Sequence, residues 1–258
     1  MQEKSSLWCK LVNKKQLACG IFSLSFKWEG EEPYAGQFFL IKPRRTSVFL
    51  ARPLSVAAYK NKRVKFIIAK KGSGSAELCA LCIGEEALLT GPLGNTFGSF
   101  LQDGICKKAV LAAGGAGIAP LSFFAGELKQ KKIPFDFFGG FITKASVPVM
   151  RSSLRYAQKT IITTEDGTSG TKGLIIDFID TEMYSTKNKS IIFCCGPLPM
   201  MQALGEKCKQ TGTNLFVSLE KRMACGVGAC LGCTVATADG NERCCCEGPV
   251  FNAQRIIF

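Results

Sequence analysis

Short apolar runs separated by turn-forming residues fill the first hundred positions. The runs at 17–26, 37–41, 54–58 and 64–69 are divided by stretches rich in Gly, Pro, Asn and Lys. Runs of that length and spacing predict β-strands, and their rhythm predicts a small antiparallel barrel. After about Gly104 the pattern changes. A short buried strand is expected at 108–113, a Gly-rich turn at 114–120, and helical apolar spacing over 120–131. Further strands are expected at 135–138, 160–164 and 191–194, with helices at 174–179 and from Ala76 onward. Strand–helix alternation predicts a parallel sheet with crossover helices. The expected fold is therefore mixed β and α/β. It comprises an antiparallel β-barrel at 1–103, a parallel-sheet α/β domain at 104–213, and a small cysteine-bearing segment at 214–258.

Composition narrows the class. The chain has 258 residues, 47% of them apolar, which is ordinary for a globular protein. The apolar stretch 109–126 is interrupted by Gly-Gly-Ala-Gly-Ile-Ala-Pro, so it reads as strand, turn and helix rather than a membrane span. Residues 1–4 open the chain without a secretory pattern. The expectation is a soluble, cytoplasmic protein. The formal charge is +13, but the basic residues are scattered and no nucleic-acid module is visible. A basic surface suits anionic cofactors or an acidic protein partner. There is no histidine, so the commonest general acid–base group is missing. That fits an enzyme whose cofactors carry the chemistry.

Four of the 14 cysteines fall as Cys225-x4-Cys230-x2-Cys233-x11-Cys245. This is the plant-type spacing of ligands for a 2Fe-2S cluster. Gly226, Gly228, Ala229 and Gly232 let the backbone turn tightly and aim N–H groups at the sulfurs. Zinc sites more often use two close C-x2-C pairs, and only Cys230 and Cys233 make one. Structural thiols or a disulfide framework are the remaining readings. In the run Cys244-Cys245-Cys246, spacing does not choose the fourth ligand.

Three weaker motifs precede the cysteines. Arg52-Pro53-Leu54-Ser55 offers a guanidinium for a phosphate and a hydroxyl for a flavin ring. Gly74 and Ser75, in Gly72-Ser73-Gly74-Ser75, permit close approach to a pyrophosphate at a helix N-terminus. Gly114, Gly115 and Gly117 form the turn after a strand, where a nucleotide-binding fold places phosphate. Cys195, Gly196 and Pro197 end another strand. The Cys195 thiol would meet a nicotinamide ring or serve packing.

Taken in order, RPLS, GSGS, GPLG, GGAGIAP, CGP and the four-cysteine tail resemble the ferredoxin–NADP reductase superfamily. Within it the pattern is most similar to the electron-transfer subunits of heterodimeric dihydroorotate dehydrogenases. The resemblance covers nearly the whole chain, and SLEKRMACGVGACLGC…RCCCEGPVF is its most specific part. It implies an FAD-binding barrel, an NAD(P)-binding α/β domain and a 2Fe-2S segment. Arg52, Pro53, Leu54 and Ser55 would hold FAD, lined by Ile67, Ile68 and Ala69, with Gly74 and Ser75 at the pyrophosphate. Ala69 stands where a longer basic residue is common, leaving Lys70 or Lys71 as substitutes. The family's last cysteine lies four residues before the proline of GPVF, so the resemblance implies Cys245. NAD(P)H would dock on the 114–120 turn, with electrons passing to a partner flavoprotein in pyrimidine biosynthesis. Two alternatives stay open. One is service to a glutamate-synthase-like or ferredoxin–NADP system, or a small acceptor. The other is a non-enzymatic, metal-stabilised binding module. NADH and NADPH are not distinguished here, with Lys144 and Arg151 the cations available for a 2′-phosphate.

Overall fold

The computed structural model describes residues 5–101, 106–145, 147 and 155–258. Six strands close the barrel: β1 (Ser5–Ala18), β2 (Ile21–Lys27), β3 (Phe38–Pro43), β4 (Arg52–Lys60), β5 (Arg63–Ala69) and β6 (Glu86–Leu93). Their order is β1-β2-β5-β4-β3-β6, and every pairing is antiparallel. The apolar run at 17–26 is thus two strands rather than one. The chain reverses at Cys19-Gly20, where Gly20 takes a left-handed φ of 68°. Trp28, Phe39 and Phe66 fill the barrel, with Trp28 edge-on to Phe39 at 4.8 Å.

Helix α1 (Ser73–Ala80) begins three residues earlier than expected. The Ser75 hydroxyl accepts from the N–H groups of Lys71 and Gly72. Ala76 N–H then makes the first helical bond to Gly72. Gly-Ser-Gly-Ser is therefore the first turn of the helix, because a serine here satisfies donors that the turn leaves free.

The second layer is a seven-stranded sheet of order β10-β9-β8-β7-β11-β12-β15. It uses β7 (Lys108–Gly114), β8 (Phe135–Phe141), β9 (Lys159–Thr164), β10 (Thr171–Lys172), β11 (Ser190–Cys195), β12 (Asn214–Ser218) and β15 (Val250–Asn252). All neighbours are parallel except β12 with β15. The C-terminal segment therefore supplies two strands of this sheet, and its hairpin of β13 (Thr234–Thr237) and β14 (Gly240–Arg243) stands apart. Helix α2 (Ile118–Gln130) packs one face through Phe124 against Phe97 and Phe193. Helix α3 (Leu198–Thr211) covers the other. It lies between Pro197 and a left-handed Gly212, the usual stop residue. The segment 174–179 is not an α-helix. It makes one 3-10 turn at Ile175–Phe178, since so short a run cannot repay helix nucleation.

The core beneath α3 continues into the cysteine segment. Met201, Leu204 and Val217 share one cluster with Met223, Cys233, Cys244 and Cys245. The sheet thus holds part of the cysteine site rigidly. Among the described residues, no helix is long and apolar enough to cross a membrane.

Candidate redox site

The loop carrying Cys225 and Cys230 wraps its first sulfur in amide groups. Cys225 Sγ accepts from Val227 N–H at 3.5 Å and Cys230 N–H at 3.4 Å. These donors, Val227 first, pull the Cys225 thiol down to about 6. A thiolate near neutral pH is the ligand form. Cys225 also contacts the Cys230 thiol, while Cys245 contacts Cys233 and lies 3.7 Å from Cys246. Burial, followed by those thiol contacts, pushes Cys245 up. Among the described residues no three ligating side chains converge to hold a single metal ion. Cys225 lies by Cys230, and Cys245 lies by both Cys233 and Cys246. An all-sulfur donor set with amide groups aimed at sulfur fits a 2Fe-2S cluster.

Arg243 clamps the two halves together. It pairs with Glu247 and donates to Gly228 O at 3.3 Å, while Cys244 N–H donates to Cys233 O at 3.0 Å. Cys230 is exposed, flanked by the exposed apolar side chains of Val227 and Leu231.

A cavity of about 560 Å³ lies between barrel and sheet. Arg52, Pro53, Leu54 and Ser55 from β4, Ile67, Ile68 and Ala69 from β5, and Ser75 all line it. Arg52 Nε is buried without a hydrogen-bond partner, while another nitrogen of its guanidinium donates to Leu50 O at 2.8 Å. A buried N–H of a guanidinium without a partner suits an acceptor oxygen on a ligand, so the cavity fits a phosphate-bearing flavin. Gly74 does not line the cavity. It lies beneath Arg52, where a Cβ would come 2.9 Å from Arg52 Cδ. Of the two lysines near Ala69, Lys71 lines the cavity and Lys70 does not.

The far wall was not foreseen from the motifs. Residues 219–223 and Pro249 form it, and they run directly into Cys225 and back from Cys245. Their place beside the cysteines was the available signal.

A second cavity of about 750 Å³ opens at the C-terminal ends of the parallel strands, where ligands bind in open α/β sheets. Gly114, Gly115, Gly117, Gly196 and Pro197 line it. Cys195 lines neither cavity. Its thiol is buried, and burial pushes it up to about 12, so its place is in packing. Thr163 and Glu165, at the end of β9, also line this cavity. Thr163 is buried, and its hydroxyl has no hydrogen-bond partner among the described residues. Lys144 lies outside the lining, and Arg151 is outside the described residues. Lys71, Ala116 and Glu220 line both cavities and mark their junction.

A flavin-sized cavity under a β-barrel, a nucleotide-sized one at strand ends, and a sulfur loop beside the first define a reductase of the ferredoxin–NADP reductase type with an iron–sulfur segment. A solved structure described as giving insights into flavin-based electron bifurcation, that of an NADH-dependent reduced ferredoxin-NADP oxidoreductase, superposes with a TM-score of 0.83. It is 25% identical, and the match covers 96% of this chain and 89% of that one. Residues 220–257 match the iron-sulfur cluster binding domain of dihydroorotate dehydrogenase B. The electron transfer subunit of dihydroorotate dehydrogenase B (NAD(+)) from Clostridium perfringens is 37% identical over 96% of this chain and 97% of its own length. The Clostridium acetobutylicum subunit is 35% identical over 100% and 99%. The chain belongs to this family of electron transfer subunits, and it is an oxidoreductase subunit.

Proposed function

We propose that this chain relays electrons, through a 2Fe-2S cluster and FAD, between NAD and a separate flavoprotein catalytic subunit that oxidises dihydroorotate in pyrimidine biosynthesis, the two electrons lost by each dihydroorotate being taken up by NAD+. The observation that carries this reading is a shared wall: residues 219–223 bound the Arg52 cavity and lead straight into Cys225. Flavin and cluster would then be neighbours.

Arg52 would neutralise the FAD pyrophosphate, with Gly74 giving it room and Ser75 at the helix turn. Pro53, Leu54, Ser55, Ile67, Ile68 and Ala69 would seat the ring, and Lys71 would take the place of the basic residue missing at position 69. Gly114, Gly115, Gly117, Gly196 and Pro197 would receive the dinucleotide, with Cys195 supporting their backbone. Cys225, Cys230, Cys233 and Cys245 would ligate the cluster. When bound, FAD supplies two-electron uptake with one-electron release, and the cluster supplies one-electron relay. The chain's own residues bind, orient and exclude water. The division of labour follows the parts: barrel 1–103 for FAD, 104–213 for NAD(P), and 214–258 for the cluster.

Thr163 and Glu165 favour NADH. A carboxylate can accept from a ribose hydroxyl and repels a 2′-phosphate. The 14 cysteines are all unpaired in the structure, which supports a reducing cytoplasmic setting. The likeness to the bifurcating reductase favours one second reading, service to a ferredoxin–NADP system. Copurification with a flavoprotein partner, followed by dihydroorotate-dependent reduction of NAD+, tests the choice. Turnover with ferredoxin and not dihydroorotate would select the second reading.

A further inference from the structure

Three consecutive cysteines follow Arg243, and the structure gives them different directions. Cys244 turns into the core, fully buried, with its thiol donating to Leu219 O at 3.3 Å. Cys245 faces Cys233. Cys246 is only half-buried and places its sulfur 3.7 Å from that of Cys245. It also reaches the ligand loop itself, since a Cβ on Gly228 would stand 2.7 Å from Cys246 Sγ. Only a glycine at 228 leaves that space. A thiol serving as a passive surface residue has no need to be seated on the loop between two ligands.

From this we propose that Cys246 is a reserve ligand, able to replace Cys245 on the iron that it shares with Cys233. The inference rests on the cluster reading above. The exchange is a ligand substitution without redox change. The iron bond to the Cys245 sulfur breaks and one to the Cys246 sulfur forms. The Cys246 thiol proton passes to the departing Cys245 thiolate, so charge and iron oxidation state are unaltered. Thiolates exchange at iron because tetrahedral sulfur sites tolerate any correctly placed donor of the same softness. Cys244 is excluded as a substitute by its direction.

The test uses the full chain, purified without oxygen, as wild type and as Cys245→Ser, Cys246→Ala and the double variant. Iron, acid-labile sulfide, visible absorption and the electron paramagnetic resonance of the reduced protein are read, with flavin absorption reporting the fold. Cys245→Ser is expected to keep about two irons per chain with an all-thiolate spectrum. The double variant is expected to lose most of the iron, or to show the shifted spectrum of a serine-ligated cluster. Identical iron content and spectra in the single and double variants overturn the proposal. Cys246→Ala leaves the primary ligands intact and provides a second reading. With a chelator present it should lose iron about tenfold faster than wild type, the scale seen when groups supporting a metal are removed. Equal rates overturn the proposal. A wild-type chain without iron would overturn the cluster reading itself, a distinct result.

Discussion

The carbonyl oxygen of Cys195 sits so close to Gly117 that a Cβ there would come within 2.0 Å of it. The two turns that end β7 and β11 are thereby locked backbone to backbone, and together they floor the larger cavity. No side chain at 117 fits without moving one of them.

Gly117→Ala should therefore damage the nucleotide site selectively. Overpacking of this kind costs about 1–3 kcal/mol, so NADH is expected to bind about tenfold more weakly or worse. Stopped-flow reduction of the flavin by NADH measures it. Flavin and cluster absorption should stay at wild-type levels; if they fall together, the turn is serving the whole fold rather than the nucleotide.

Arg52 is the barrel's one buried open donor among the described residues. Hydrogen bonds to charged groups are worth about 1.5–3 kcal/mol. Arg52→Ala should weaken FAD by about 10-fold to 150-fold in a fluorescence titration, leaving iron content unchanged. Lysine restores the charge but not the planar fork, so it should recover only part of the loss. Full flavin retention in Arg52→Ala contradicts the assignment.

Glu165 gives a prediction about the donor. A like-charge contact near 4 Å costs about 1 kcal/mol even in water. Glu165→Ala should shift the NADH over NADPH preference in kcat/KM at least about fivefold toward NADPH. An unchanged ratio places the ribose elsewhere.

Glu127 ties stability to pH. It lines the seam between α2 and the barrel, accepting from Ala35 N–H at 2.6 Å, and burial raises its carboxyl above the usual range. The raised value means the folded chain holds this proton more tightly than the unfolded chain does. That contribution is complete below the ordinary carboxyl value and is lost as pH rises through the folded one. Glu127→Gln keeps an acceptor for Ala35 and removes the buried charge. Its melting temperature should exceed wild type at pH 8 and not at pH 4.

Much of this architecture was legible because local patterns carry it. Alternating short runs announced the barrel, and the Gly-rich turn after 108–113 announced the parallel sheet. The cysteine spacing reports a loop geometry that hardly depends on distant residues. What stayed hidden depends on convergence. Thr163 and Glu165 look like any strand end until the sheet order brings β9 beside β8 at the mouth of the cavity. Residues 219–223 gain meaning only when the barrel closes against them. The directions of Cys244, Cys245 and Cys246 are set by the turn that Arg243 and Glu247 clamp, not by their order in the chain. Cys195 shows the reverse case, a suggestive thiol that the fold spends on packing.

One electron path is expected to link nucleotide, flavin and cluster. Anaerobic purification followed by a visible spectrum, with iron and sulfide assays, tests it most directly. Flavin bands over a broad cluster absorption, about two irons per chain, and bleaching of both on addition of NADH are expected. Flavin that bleaches while the cluster absorption stays unchanged, or a colourless chain holding zinc, would contradict that path.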